Sequence, residues 1–176
     1  RNATDDLGQP LTFPVDTRYP WRLIPYLGKS FETIYCGDNR AKLEELRRLN
    51  HEDYVYAVSL YPSLGINSFF VGGNQSDFDA RTANQTFGGG TVVLRTKEVK
   101  YPAQLLSFVS ARSAISGENA NGYFQVKPPY TVNRRWAAEW SQSLIPEDWG
   151  YVAPRYNQRA VAAMLDGHAQ TLNHQE

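Results

Sequence analysis

Thirteen glycines and ten prolines interrupt this chain of 176 residues, and they leave little room for the long apolar stripes of a helix bundle. With aromatic residues at 13% of the sequence, the punctuation favours strands, turns and loops with a few short helices. The hydrophobic fraction of 41% and charged fraction of 20% are those of an ordinary globular protein, and a single domain over 1–176 is expected. Lys and Arg number 18, as do Asp and Glu. A net charge of zero argues against nucleic acid or an anionic membrane as the main partner, and no apolar run approaches the ~18 residues of a membrane span.

Residues 1–10 are polar, with Gly8 and Pro10, and read as a flexible N-terminal arm. The run 11–21 carries Pro14 and Pro20 and suits an edge strand ending in a turn. A strand is expected over 31–37. Leu43, Leu46 and Leu49 follow at helical spacing behind Asp38 or Asn39 as a cap, with Glu44 and Arg48 one turn apart. The run 54–61, Tyr-Val-Tyr-Ala-Val-Ser-Leu-Tyr, is aromatic, β-branched and almost wholly apolar, the pattern of a central strand. Five glycines fall within 72–90, which reads as a long surface loop. Beyond it the pattern predicts a strand over 91–96, a helix from about 102 to 115 opened by Pro102, and a strand over 122–127. An alanine-rich C-terminal helix, weakened by Gly167, closes the chain. Strands and helices in this irregular order give an α+β fold.

One cysteine, Cys36, cannot form an internal disulfide, and the three histidines have no zinc spacing. No metal site is expected. Three Asn-x-Ser/Thr sequons at Asn2, Asn74 and Asn84, together with a start at Arg1 rather than Met, point to a secreted, extracellular glycoprotein. Cys36 is then either buried and inert or exposed and open to an intermolecular link.

Several chemistries are excluded by spacing: there is no phosphate loop ending in Lys-Ser/Thr, no His-Glu-x-x-His and no Gly-x-Ser-x-Gly. Gly88, Gly89 and Gly90 lack the lysine and helix of a phosphate cradle and read as a turn. Trp136, Trp140, Trp149 and Tyr151 crowd one segment and suit either core packing or a binding platform. Glu139, between two tryptophans, is either a partly exposed strand-end residue or a candidate acid or base.

Two further segments carry a likeness. The run Phe13-Pro14-Val15-Asp16-Thr17-Arg18-Tyr19-Pro20 and the run Ala137-Ala138-Glu139-Trp140 leading to Ile145-Pro146 resemble the opening and the catalytic elements of the secreted mono-ADP-ribosyltransferase A-subunit family, which includes heat-labile enterotoxin, pertussis toxin and the pierisin-like toxins. The family's NAD-binding Arg falls on Pro14, its hydroxyl-bearing strand on Tyr35-Cys36-Gly37, and the residue two before its catalytic Glu on Ala137. Only Glu139 survives.

The resemblance implies a split mixed sheet with flanking helices, and the lost groups imply a pseudoenzyme that binds no cofactor. Proline offers neither the cation nor the donor that a phosphate needs. The expected function is therefore a secreted effector or toxin-like virulence protein that binds, and in one version inhibits, a host protein. An active NAD-dependent transferase using Glu139, with Arg18 or Arg22 supplying the cation, is the first alternative. A carbohydrate-binding module built on the tryptophans is the second.

Overall fold

A computed structural model describes residues 3–73, 80–88, 91–113, 120–128 and 136–173. Its elements are α1 (Tyr19–Leu23), α2 (Arg40–Leu46), α3 (His51–Leu60), β1 (Leu64–Asn67), α4 (Ala80–Phe87), β2 (Leu106–Ser110), β3 (Arg112–Ser113), β4 (Ala120–Asn121), β5 (Gln125–Val126), β6 (Arg159–Met164) and β7 (Ala169–Asn173), with several short 3-10 turns. The fold is α+β. The chain divides into two compact units, one of Arg1–Leu64 with Ala111–Phe124, the other of Gly65–Ser110 with Gln125–Glu176.

The first unit is mainly helical, with the short antiparallel pair β3–β4. Pro20 occupies the first turn of α1, where a missing N–H costs nothing, so the segment expected as an edge strand is a helix preceded by a 3-10 turn. The strand expected over 31–37 is likewise replaced, here by 3-10 turns at Phe31–Thr33 and Gly37–Asn39. In α2, Leu43 and Leu46 are buried as their spacing predicts. The charged pairs on its surface are Arg47 with Glu44 and Lys42 with Glu45, rather than Glu44 with Arg48.

The run expected as a central strand is α3. Asn50 decides this: its side-chain oxygen accepts the Asp53 N–H at 3.0 Å, and Glu52 and Asp53 place negative charge in the first turn. Val55, Val58 and Ser59 then face the core at helical spacing. Two aromatics grip this helix through backbone carbonyls. Fully buried Trp21 donates from Nε1 to the Val55 carbonyl at 2.9 Å, and fully buried Tyr35 donates its hydroxyl to the Val58 carbonyl at 3.0 Å. Burial in this apolar setting pushes the Tyr35 phenol well above its usual range. Phe31 meets Trp21 edge to face, with ring centroids 4.8 Å apart.

The second unit holds a five-stranded mixed sheet in the order β5-β1-β2-β6-β7, parallel between β1 and β5 and antiparallel across β2, β6 and β7. Gly65 permits the β1–β5 approach, since a Cβ there would lie 2.8 Å from the Gln125 backbone carbon. Ser110 is a polar joint inside the sheet: its hydroxyl donates to the Ala153 carbonyl at 2.8 Å and accepts the Val161 N–H at 3.1 Å.

The expected C-terminal helix is the hairpin of β6 and β7. Ala160, Ala162 and Met164 alternate inward along β6, and the strands register as Ala160 with Leu172 and Ala162 with Gln170. Gly167, at φ +95°, closes the turn. Met164 N–H donates to the His168 carbonyl, and the Asp166 carboxylate accepts the His168 N–H at 3.1 Å.

Three more expectations change here. The helix expected over 102–115 is strand β2, because Pro102 opens only a 3-10 turn and Ser107 and Val109 alternate inward. The loop expected over 72–90 contains α4, which buries Ala83. The strands expected over 91–96 and 122–127 shrink to a bridge between Val93 and Val71 and to the two residues of β5.

Candidate functional site

Arg18 lies in the first unit, where it caps α1 and is only 7% exposed. Its guanidinium carbon sits 4.7 Å from the Tyr56 ring centroid and 5.0 Å from that of Phe124, so the cation lies over two aromatic rings. Nη1 donates to Ser59 Oγ at 2.8 Å, and that hydroxyl donates in turn to the Tyr56 carbonyl at 2.6 Å. Both Ser59 and Tyr56 belong to the C-terminal half of α3, where carbonyl dipoles favour a positive charge. The setting explains how a cation is buried without a carboxylate. It joins the chain ahead of α1 to α3.

The other family-like positions in this unit are also committed to packing. Tyr19 donates its hydroxyl to the Leu64 carbonyl at 2.6 Å, and burial raises its phenol far above the usual range. Tyr35 is occupied as described above. Half-buried Cys36 donates its N–H to Ser63 Oγ at 2.9 Å, and the same hydroxyl donates back to the Cys36 carbonyl at 3.1 Å. The residues aligned with the family's hydroxyl positions therefore form a backbone joint.

In the second unit the tryptophan segment separates by depth. Trp149 is 6% exposed and closes a 3-10 turn, Pro146–Trp149, whose signature in the sequence is proline at the start and glycine after the end. Gly150 then takes a left-handed conformation at φ +56°, where any Cβ would collide with the Lys127 carbonyl, and Tyr151 follows at φ +68°. Half-buried Tyr151 donates its hydroxyl to Glu147 Oε1 at 3.1 Å. Trp136, at 38% exposure, stacks on Trp149 with centroids 5.6 Å apart and planes 18° apart. Trp140 is half-buried. Trp136 is thus the most exposed of the four rings, with Trp140 and Tyr151 half-buried and Trp149 buried.

Glu139 is exposed in irregular backbone, and among the described residues it makes no hydrogen bond or ion pair. Arg18 and Glu139 belong to different units.

Asn84, the one candidate glycosylation site within the described residues, is half-buried on α4. Its carboxamide clamps Val92, accepting the Val92 N–H at 2.9 Å and donating to the Val92 carbonyl at 3.4 Å. Asn2 and Asn74 lie outside the described residues.

Asp5 and Asp6 lie too far in sequence from His51 to suggest a cluster, yet the three have donor atoms within 4.8 Å of one another. Hydrogen bonding accounts for its geometry. Asp5 Oδ1 accepts the Leu7 and Gln9 N–H groups at 3.0 and 2.7 Å, while Oδ2 contacts His51 Nε2 at 2.9 Å. Burial works to raise the Asp5 pKa, but the bonds from His51, Gln9 and Leu7 together hold it below its ordinary value. The stretch expected as a flexible arm thus contains a bonded turn, closed by a bridge between Thr4 and Pro10.

Comparison with known protein families, curated proteins and solved structures finds no match to this chain. Among the described residues no helix is long and apolar enough to cross a membrane.

Proposed function

We propose that this chain is a non-enzymatic protein-binding module. The observation that carries the reading is the enclosure of Arg18. A guanidinium that is to grip a phosphate must present its donor edge to the ligand, whereas this one is buried over the Tyr56 and Phe124 rings with Ser59 on Nη1. The residues do not fit NAD: Pro14 supplies no cation, and Tyr35 and Cys36 are bound to the chain itself. The segment aligned with the opening transferase element, 13–20, is a 3-10 turn leading into a helix. Glu139 stands exposed, and among the described residues it has no partner that would orient a catalytic carboxylate.

Recognition of another protein is supported by what the surface offers instead. Trp136 is exposed on a rigid stack in the second unit, and tryptophan held in a packed setting is the residue type that dominates protein interfaces. A sugar platform has less support, because one face of Trp136 is covered by Trp149.

The test is incubation of the purified chain with NAD while following nicotinamide release. The expected result is release at the rate of the buffer blank. Release that disappears in Glu139→Gln would overturn the reading and return the chain to the transferases.

A further inference from the structure

The sequon Asn84-Gln85-Thr86 begins on α4. Arg81 and Gln85 of that helix are exposed, whereas Asn84 is half-buried and its side chain meets Val92, which is 1% exposed. The residue after Val92 is held by the chain at 70–72: the Val93 N–H donates to the Phe70 carbonyl at 2.8 Å, and the Val93 carbonyl accepts the Gly72 N–H at 2.9 Å. Val92 has no backbone partner of this kind among the described residues. Its N–H donates to Asn84 Oδ1 at 2.9 Å, and its carbonyl accepts from Asn84 Nδ2 at 3.4 Å. One carboxamide thus takes the place of a neighbouring strand for a buried residue whose backbone groups must be satisfied.

The chemistry of a sequon acts on the same nitrogen. In N-linked glycosylation Nδ2 displaces the pyrophosphate of a lipid-linked oligosaccharide: the sugar C1–O bond breaks, an Nδ2–C1 bond forms, and Nδ2 gives up one hydrogen as a proton. The product is a secondary amide. Such an amide is planar and trans, with well under about 0.1% of non-proline amides cis. The sugar therefore sits on the oxygen's side of the nitrogen, and the remaining N–H points away from the oxygen. The clamp needs the reverse arrangement. Because Oδ1 and Nδ2 meet the two backbone groups of a single residue, the bond to the Val92 carbonyl uses the hydrogen on the oxygen's side. Sugar and clamp compete for one position.

We propose that Asn84 is a modification site that folding closes: its carboxamide accepts a glycan only while Val92 is undocked, and formation of the clamp ends its reactivity. The exclusion also runs the other way. A glycan already on Nδ2 leaves the Val92 N–H and carbonyl without the partner that the fold gives them, so the glycosylated chain and the clamped chain are different species. The inference stands apart from the protein-binding reading and from NAD turnover.

Trypsin cuts after Arg81 and Arg95 and releases 82–95 with this sequon alone, so the mass of that peptide reports Asn84 directly. The unglycosylated full chain, the synthetic peptide 82–95 and the full-length variant Val92→Pro are each treated with a purified oligosaccharyltransferase and its lipid-linked donor. Val92→Pro keeps the sequon and deletes the N–H that Asn84 Oδ1 accepts. The expected result is glycosylation of the peptide, at least about tenfold slower glycosylation of the full chain, and recovery of about tenfold in Val92→Pro. Equal rates for peptide and full chain would overturn the proposal. So would a peptide that accepts no glycan, or a Val92→Pro chain that folds and stays as slow as its parent, which would assign the closure to α4 rather than to the clamp. Amide exchange decides the matter if Val92→Pro does not fold: the Val92 N–H of the parent chain should exchange at least about tenfold more slowly than in the peptide. Equal exchange would overturn the clamp.

Discussion

Segments 51–60 and 159–173 have opposite composition and opposite folds, and in both the intrinsic preference of the residues loses. The first is rich in tyrosine and valine, which favour strands, and forms α3. The second is rich in alanine, the best helix former, and forms the hairpin of β6 and β7. In each case a short polar signal at the boundary sets the conformation that the apolar residues then follow. Asn50 caps the helix. Asp166 and Gly167 turn the hairpin. Propensities differ by less than about 1 kcal/mol per residue, so a cap, a turn and the burial of one face are enough to reverse them.

Substitutions can break either side of this comparison. The largest effect is expected at Trp21, which fills the core and holds α3 through the Val55 carbonyl. Trp21→Ala should cost about 3–5 kcal/mol in denaturant unfolding, and a loss under about 1 kcal/mol would show that α3 does not depend on this anchor. Ser110→Ala comes next, because it strips a partner from the Ala153 carbonyl and the Val161 N–H within the sheet. A loss of about 1–3 kcal/mol is expected by the same measurement.

Smaller effects separate the two boundary signals. Gly167→Ala forces a side chain to φ +95° in open space, so strain alone should lower stability by about 1 kcal/mol. Asn50→Ala removes the cap of α3 and should cost about 1 kcal/mol, with helix signal by circular dichroism falling in proportion. An unchanged melting temperature would mean that burial alone specifies the helix.

The smallest effect lies at Asp5. Its folded-state pKa is depressed, so its contribution is present above the ordinary carboxylate value and is lost as pH falls through the lower folded value. Melting temperature followed downward from neutral pH should therefore drop less steeply in Asp5→Asn than in the parent chain. Identical profiles would remove the Asp5 bonds from the account.

Much of α2 was legible, because Leu43 and Leu46 recur at helical spacing and bury as expected. The α+β class was legible too, though most individual strands were misplaced. What escaped was whatever depends on partners distant in sequence. Arg18 finds Ser59 across 41 residues, and its aromatic enclosure needs Tyr56 and Phe124 together. Nothing local to Arg18 announces that. The stack of Trp136 on Trp149 arises from the same kind of long-range meeting, here through Gly150 and the Lys127 backbone. The crowding of tryptophans pointed to the segment, while the choice of Trp136 as the exposed ring required the fold.

The central claim is that the groups aligned with NAD chemistry serve packing. Calorimetric titration of NAD into the full chain, with Glu139→Gln and Arg18→Met alongside, tests it most directly. No saturable heat at millimolar NAD in the parent chain, with Arg18→Met lowering the melting temperature, is the predicted result. Saturable binding that either substitution abolishes would contradict it.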